Sequence, residues 1–167
     1  MATGRSTKLV GQTGEYLVAA ELSRRGLIAT TFTGNVPHYD IIAPDERGRH
    51  VPVQVKTIRS GTWQFGDVSQ FCELSYPDHR QIVGKAKRCP VLRLICVFVK
   101  LADGEDDRYF VIPWPALRRI IVRGHSDYLN RHGGVRPKNW SSTHTAISLG
   151  QLSAFEDRWD IIKKSLA

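Results

Sequence analysis

Cysteine is scarce in this chain, and the three present, Cys72, Cys89 and Cys96, make neither an even set nor a Cys-x-x-Cys pair. A disulfide framework and a structural zinc site both lack support, so a reducing compartment is the expectation. Long apolar runs are missing too: nowhere do about 18 apolar residues follow one another, the length a bilayer-spanning helix needs. The opening stretch MATGRSTKLV lacks the apolar segment of a secretory leader. A cytoplasmic protein without membrane attachment is expected. There is no internal repeat, low-complexity tract or compositional bias. With 41% hydrophobic and 24% charged residues the chain is ordinary for a globular protein.

Acidic residues are outnumbered: 16 Asp and Glu stand against 24 Lys and Arg, a formal charge of +8. The basic residues come in groups, Lys85, Lys87, Arg88 and Arg93, then Arg118, Arg119 and Arg123. A polyanionic partner fits this surplus, although basic composition also serves solubility alone. At 167 residues without a composition break, one domain spanning residues 1–167 is expected.

Periodicity supplies the elements. Val10, Gly14, Leu17, Val18 and Leu22 recur at helical spacing within 9–25, and Gly26 stands where a helix stop belongs. Three β-rich runs follow, 27–33, 38–43 and 51–58, separated by Gly34-Asn35 and by the turn-forming 44–48. Residues 59–88 read as mixed: Trp63 and Phe65 suggest a strand, 81–86 a short helix. The runs 91–99 and 108–112 flank an Asp103-Gly104 turn signal and read as a hairpin. Pro115 sits in the first turn of a helix over 116–122, a polar loop is expected over 124–143, and Leu152, Phe155, Trp159, Ile162 and Leu166 predict a C-terminal amphipathic helix.

The chemistry concentrates in His38-Tyr39-Asp40-Ile41-Ile42, a turn, and Val51-Pro52-Val53-Gln54-Val55-Lys56-Thr57. Folded as a hairpin about 46–48, Asp40 comes opposite Val53 or Gln54. Strand side chains alternate, so Gln54 and Lys56 share one face while Val53, Val55 and Thr57 share the other, suited to a core. A carboxylate, an amide and an ammonium are thereby clustered. Hydrolysis of a phosphodiester calls for this set: a hard divalent cation takes oxygen ligands such as Asp40 and the Gln54 carbonyl. Lys56 beside it can orient water and offset charge in the transition state.

Asp40, then after a turn Gln54-Val55-Lys56, resembles the PD-(D/E)XK nuclease signature. The nearest form is the Gln-x-Lys variant of Mrr-type restriction endonucleases and resolvase-like relatives. In that family a glutamate on the first helix joins the site, and Gly-Gln-Thr-Gly-Glu-Tyr puts Glu15 in the matching place. Glu15 lies beside Val18 and Leu22 at the edge of the apolar face, whereas Glu21 points elsewhere. The resemblance spans residues 9–58. Pro37 precedes Asp40 by three positions and Gln54 replaces the family's acidic residue.

The resemblance implies a restriction-endonuclease-like α/β core, a mixed sheet of about five strands flanked by helices. It also implies an Mg²⁺- or Mn²⁺-dependent endonuclease acting on DNA. Glu15, Asp40 and Gln54 are then metal ligands, Glu15 alternatively a base, and Lys56 the residue that assists the water. Symmetric double-strand cutting by so small a domain implies a homodimer. The alternative is a catalytically silent module on the same fold that binds nucleic acid or a protein. Outside the motif, Arg131, Arg136, Lys138 and Trp140 combine charge and an aromatic ring and suit phosphate contact with base stacking; Trp140 serves equally as a packed anchor for its loop. His125, His132 and His144 read as surface or loop residues, and no Gly-x-Ser-x-Gly elbow supports a triad through Ser141, Ser142 and His144.

Overall fold

The computed structural model describes residues 4–32, 36–104 and 106–167; the expected Gly34-Asn35 turn lies outside them. Helix α1 (Gly4–Arg24) leads into the short strand β1 (Thr30–Thr31), and β2 (Ile41–Pro44) and β3 (His50–Ile58) form the hairpin foreseen from the motif. β4 (Trp63–Phe65), β5 (Cys72–Ser75) and β6 (Ile82–Ala86) come next, then β7 (Ile95–Lys100) and β8 (Arg108–Pro113). The chain closes with α2 (Trp114–Arg131), β9 (Thr145–Ile147), α3 (Leu149–Leu152) and α4 (Asp160–Leu166).

The main sheet has five strands in the order β1-β2-β3-β7-β8. Only β3 and β7 run parallel, and the other neighbours are antiparallel, so the sheet is mixed. Its two faces feed separate cores. One holds Val51, Val53, Val97, Val99 and Val111 beneath Val18 and Leu22 of α1, Trp159 just before α4, and Ile162 and Leu166 of α4. The other holds Cys96, Phe98, Phe110 and Ile112 with Trp63, Phe65 and the Leu117 and Ile121 stripe of α2. β4–β9 and β5–β6 are two-stranded sheets beside the second core.

Gly26, with φ of +85°, ends α1: the Leu27 N–H returns to the Leu22 carbonyl, a closure that a Cβ would strain. The helix is pressed onto β3 at Gly14, where a methyl group would lie 1.8 Å from Thr57 Oγ1. That hydroxyl is buried without a hydrogen-bond partner among the described residues.

Three expectations from periodicity give way. Residues 82–86 form a strand rather than a helix, because β6 finds β5 as an antiparallel partner. The loop expected from 124 begins after Arg131, since the buried stripe Leu117, Ile121, His125, Leu129 continues α2 with a histidine in a core position. The C-terminal helix is split. Leu152 packs into one core while Trp159 opens the set packed into the other, so the chain must cross the sheet edge between them. It does so at Glu156, which bridges to Phe110, and at Asp157, whose φ is +50°.

Candidate active site

Asp40 immediately precedes β2. Its N–H donates to the Val53 carbonyl at 2.9 Å, and Ile41 aligns with Val53, so the register carries Asp40 opposite Gln54. One carboxylate oxygen accepts the Val55 N–H at 2.7 Å, which fixes the side chain across the hairpin. Two residues earlier, exposed His38 holds φ of +75°, a conformation costly to a non-glycine residue.

On β3, Gln54 aligns with Cys96 of β7 and Lys56 with Phe98, both members of the α2-side core, whereas Val53 packs in the α1-side core. Alternation therefore places Gln54 and Lys56 on one face. The Lys56 ammonium stands 4.9 Å from the centre of the Phe65 ring, and the Lys56 carbonyl accepts the Trp63 indole N–H at 2.9 Å. Among the described residues Gln54 Oε1 has one long contact, 4.0 Å from Cys96 Sγ.

Glu15 arrives from α1, positioned by the Gly14–Thr57 contact next to it. It lines a cleft of about 560 Å³ together with Asp40, Lys8, Tyr16, Phe32 and Tyr39. Burial, and after it the negative charge of Asp40, holds the Glu15 carboxyl above its ordinary range. Burial likewise raises Asp40, opposed by the Val55 N–H and by the Lys56 charge. Burial disfavours the ionised form of both acids, and the Asp40 charge adds to this at Glu15, so a cation beside them would be favourable. Glu21, by contrast, is engaged by Arg24 and Arg25 away from this cleft.

Among the described residues no three of His, Cys, Asp and Glu converge on a metal position. The candidate oxygen donors that share a cleft are the carboxylates of Glu15 and Asp40, whereas Gln54 lines a neighbouring cleft with His38, Lys87 and Arg88. The carboxylate pair fits a hard ion such as Mg²⁺, which keeps several of its waters and takes one or two carboxylates, and does not resemble a nitrogen and sulfur site.

The second predicted group falls elsewhere. Arg131, on the last turn of α2, and Arg136 line a separate cavity of about 420 Å³ with His125, Tyr128 and His144. Arg136 lies over the Tyr128 ring at 4.8 Å and donates to the His144 carbonyl. Trp140 is stacked on His79 at 4.4 Å and meets Tyr76 edge-on, while Lys138 is exposed. His125 is buried, contrary to the surface reading: its Nε2 meets Gln81 Oε1 at 3.0 Å, and the Gln81 amide donates to the Trp140 and Ser142 carbonyls. Burial first, then the Arg136 charge, pushes its pKa down to about 4. The residues around the motif that sequence reading did not reach are Lys8 and Phe32 in the Glu15 cleft and Gln70 in the cleft that Gln54 lines. No spacing rule links them to Asp40, because the fold alone brings them there.

No family profile matches the chain, and no curated protein matches it in sequence. Among solved structures it superposes on the bacterial homing endonuclease I-Ssp6803I with a TM-score of 0.53 and 13% identity, over 95% of each chain. The Holliday junction resolvase Hjc of Archaeoglobus fulgidus superposes at 0.44 and 14% identity, over 86% of this chain and 88% of that one. The fold is thus the restriction-endonuclease-like mixed sheet that the motif implied. No helix among the described residues is long and apolar enough to cross a membrane.

Proposed function

We propose that this chain is a metal-dependent endonuclease that hydrolyses DNA phosphodiester bonds, a Gln-x-Lys member of the PD-(D/E)XK class. The observation that carries the reading is the meeting of charges: Glu15 and Asp40 line one cleft, the Asp40 charge raises the Glu15 carboxyl, and the Lys56 charge reaches Asp40 from β3. Glu15 comes from α1, and Asp40 and Lys56 come from the β2–β3 hairpin. A fold shared with a homing endonuclease is consistent with it.

A bound Mg²⁺ or Mn²⁺ would be held by Asp40, Glu15 and the Gln54 carbonyl and would stabilise the charge that grows on the phosphate oxygens. The protein's own residues do the rest. Asp40 is locked by the Val55 N–H, so its free oxygen is presented without reorganisation. Glu15, held above the ordinary carboxylate range, is suited to take a proton from the attacking water. Lys56 offsets the charge of the pentacovalent phosphate, and the aromatic contact with Phe65 steadies its ammonium.

A second reading, a catalytically silent DNA-binding module, is favoured by one observation: neutral Gln54 stands where a third carboxylate would strengthen metal binding. Incubation with plasmid, linear, single-stranded and branched DNA, each with Mg²⁺, Mn²⁺ or a chelator, separates the two. Cleavage that requires the ion supports the nuclease. Binding without cleavage in every combination supports the silent module and overturns the proposal.

A further inference from the structure

Asp40 and Gln54 line two different clefts. On the Glu15 side the wall holds two carboxylates, Glu15 and Asp40, with Lys8 and aromatic rings. On the other side Gln54 lines a cleft of about 310 Å³ with His38, Gln70, Lys87 and Arg88, and no carboxylate lines it. Some arginines and lysines elsewhere meet carboxylates, as at Arg24, Arg25, Arg49, Arg108, Arg158 and Lys164. Among the described residues Lys87 and Arg88 form no ion pair.

The backbone at Lys87 is held on both its N–H and its carbonyl. The Lys87 N–H donates to the Phe71 carbonyl at 2.9 Å, and the Lys87 carbonyl accepts from the Arg118 guanidinium. Arg118 lies over the Trp114 ring, and Trp114 stacks on Phe71 with centroids 5.5 Å apart. The backbone under the two cations is thereby tied to the α2-side core. The nearby Asp67 feels the Lys87 charge, yet its carboxylate already accepts from the Ser69 N–H and hydroxyl. Two unpaired cations on a fixed backbone, in a cleft without acids that opens at Gln54, are complementary to a phosphodiester.

We infer that the cleft between Gln54 and Lys87-Arg88 is a phosphate subsite that holds the nucleic-acid backbone next to the scissile position. The inference rests on the nuclease reading and assigns that site its backbone track: the strand passes over β6 and the start of α2, leaving the Glu15 cleft to the reacting group. Lys87 and Arg88 are positioning residues in this account.

The test is binding of duplex DNA in chelator, across a salt series, by wild type, Lys87→Gln/Arg88→Gln and a control, Lys163→Gln/Lys164→Gln. The control removes the same charge from α4, on the opposite face of the sheet. Each phosphate contact contributes about 0.9 to the slope of log affinity against log salt, so the Lys87/Arg88 variant should lose roughly 1.8 in slope. Its affinity at low salt should fall about tenfold or more, and the control should change neither. The charge reversal Lys87→Glu/Arg88→Glu should deepen the loss while melting like wild type. A slope unchanged in the Lys87/Arg88 variant, or lowered equally in the control, overturns the subsite while leaving the nuclease reading intact. Failure of wild type to bind or cut any DNA removes both.

Discussion

Asp40 links the hairpin to both charged partners in the site. It closes the hairpin through Val55, raises Glu15, and is itself lowered by Lys56. Its folded pKa is nonetheless raised on balance, so protonated Asp40 favours the folded state. That contribution is complete below the ordinary carboxylate range and is lost as pH rises through the folded value. Asp40→Asn, which can still accept from Val55, should therefore melt higher than wild type at neutral pH in chelator. The gap should close in acid. Equal melting temperatures at neutral pH would show that Asp40 carries no electrostatic strain. Gln54 makes the complementary prediction: Gln54→Glu adds an anionic oxygen beside Asp40 and should tighten Mg²⁺ binding about tenfold or more, measured by calorimetry. An unchanged titration would place Gln54 away from the ion.

At the scale of elements, the site depends on α1 lying against β3 at Gly14. Gly14→Ala forces a methyl group against Thr57 and should cost about 2 kcal/mol or more in urea unfolding, because neither backbone can withdraw without disturbing the core. Cleavage should fall with it, as Glu15 moves off Asp40; wild-type stability would mean that the helix slides freely. The His125–Gln81 contact pins the loop that carries Trp140 and Ser142. Because His125 is held near 4 against an ordinary 6.5, its contribution is present above the ordinary value and drains away as pH falls toward 4. His125→Gln should lower the melting temperature at pH 7 and flatten its decline between pH 6.5 and 4. An equally steep decline would place the acid-labile group elsewhere.

These elements also mark what a sequence reveals. The β2–β3 hairpin was legible because alternation is local: two residues apart means one face, which separates Gln54 and Lys56 from Val53. The α1 stop at Gly26 was legible for the same reason. The split C-terminal helix was not, since an unbroken 3.6-residue period conceals that Leu152 and Trp159 serve cores on opposite sides of the sheet. Nor was buried His125, whose partner Gln81 lies 44 residues away. The cation cleft escaped as well: Lys87 and Arg88 stood out as charge, but only the fold sets them beside Gln54.

Taken whole, the molecule combines a +8 surface with an acidic notch at Glu15 and Asp40. Excess positive charge draws a polyanion by releasing its counterions, and the notch repels the phosphate at the point where a cation is needed. The proposed function therefore assigns binding and cutting to different residues. The central claim is tested by gel-shift and cleavage assays run side by side on wild type and Asp40→Asn, in chelator and in Mg²⁺, over a salt series. Wild type should cut only with Mg²⁺, and the variant's cleavage should fall at least about a hundredfold, the scale set by removing one preorganised electrostatic group. Binding by the variant in chelator should equal or exceed that of wild type and weaken steeply with salt. Wild-type cleavage by Asp40→Asn would contradict the account at its centre.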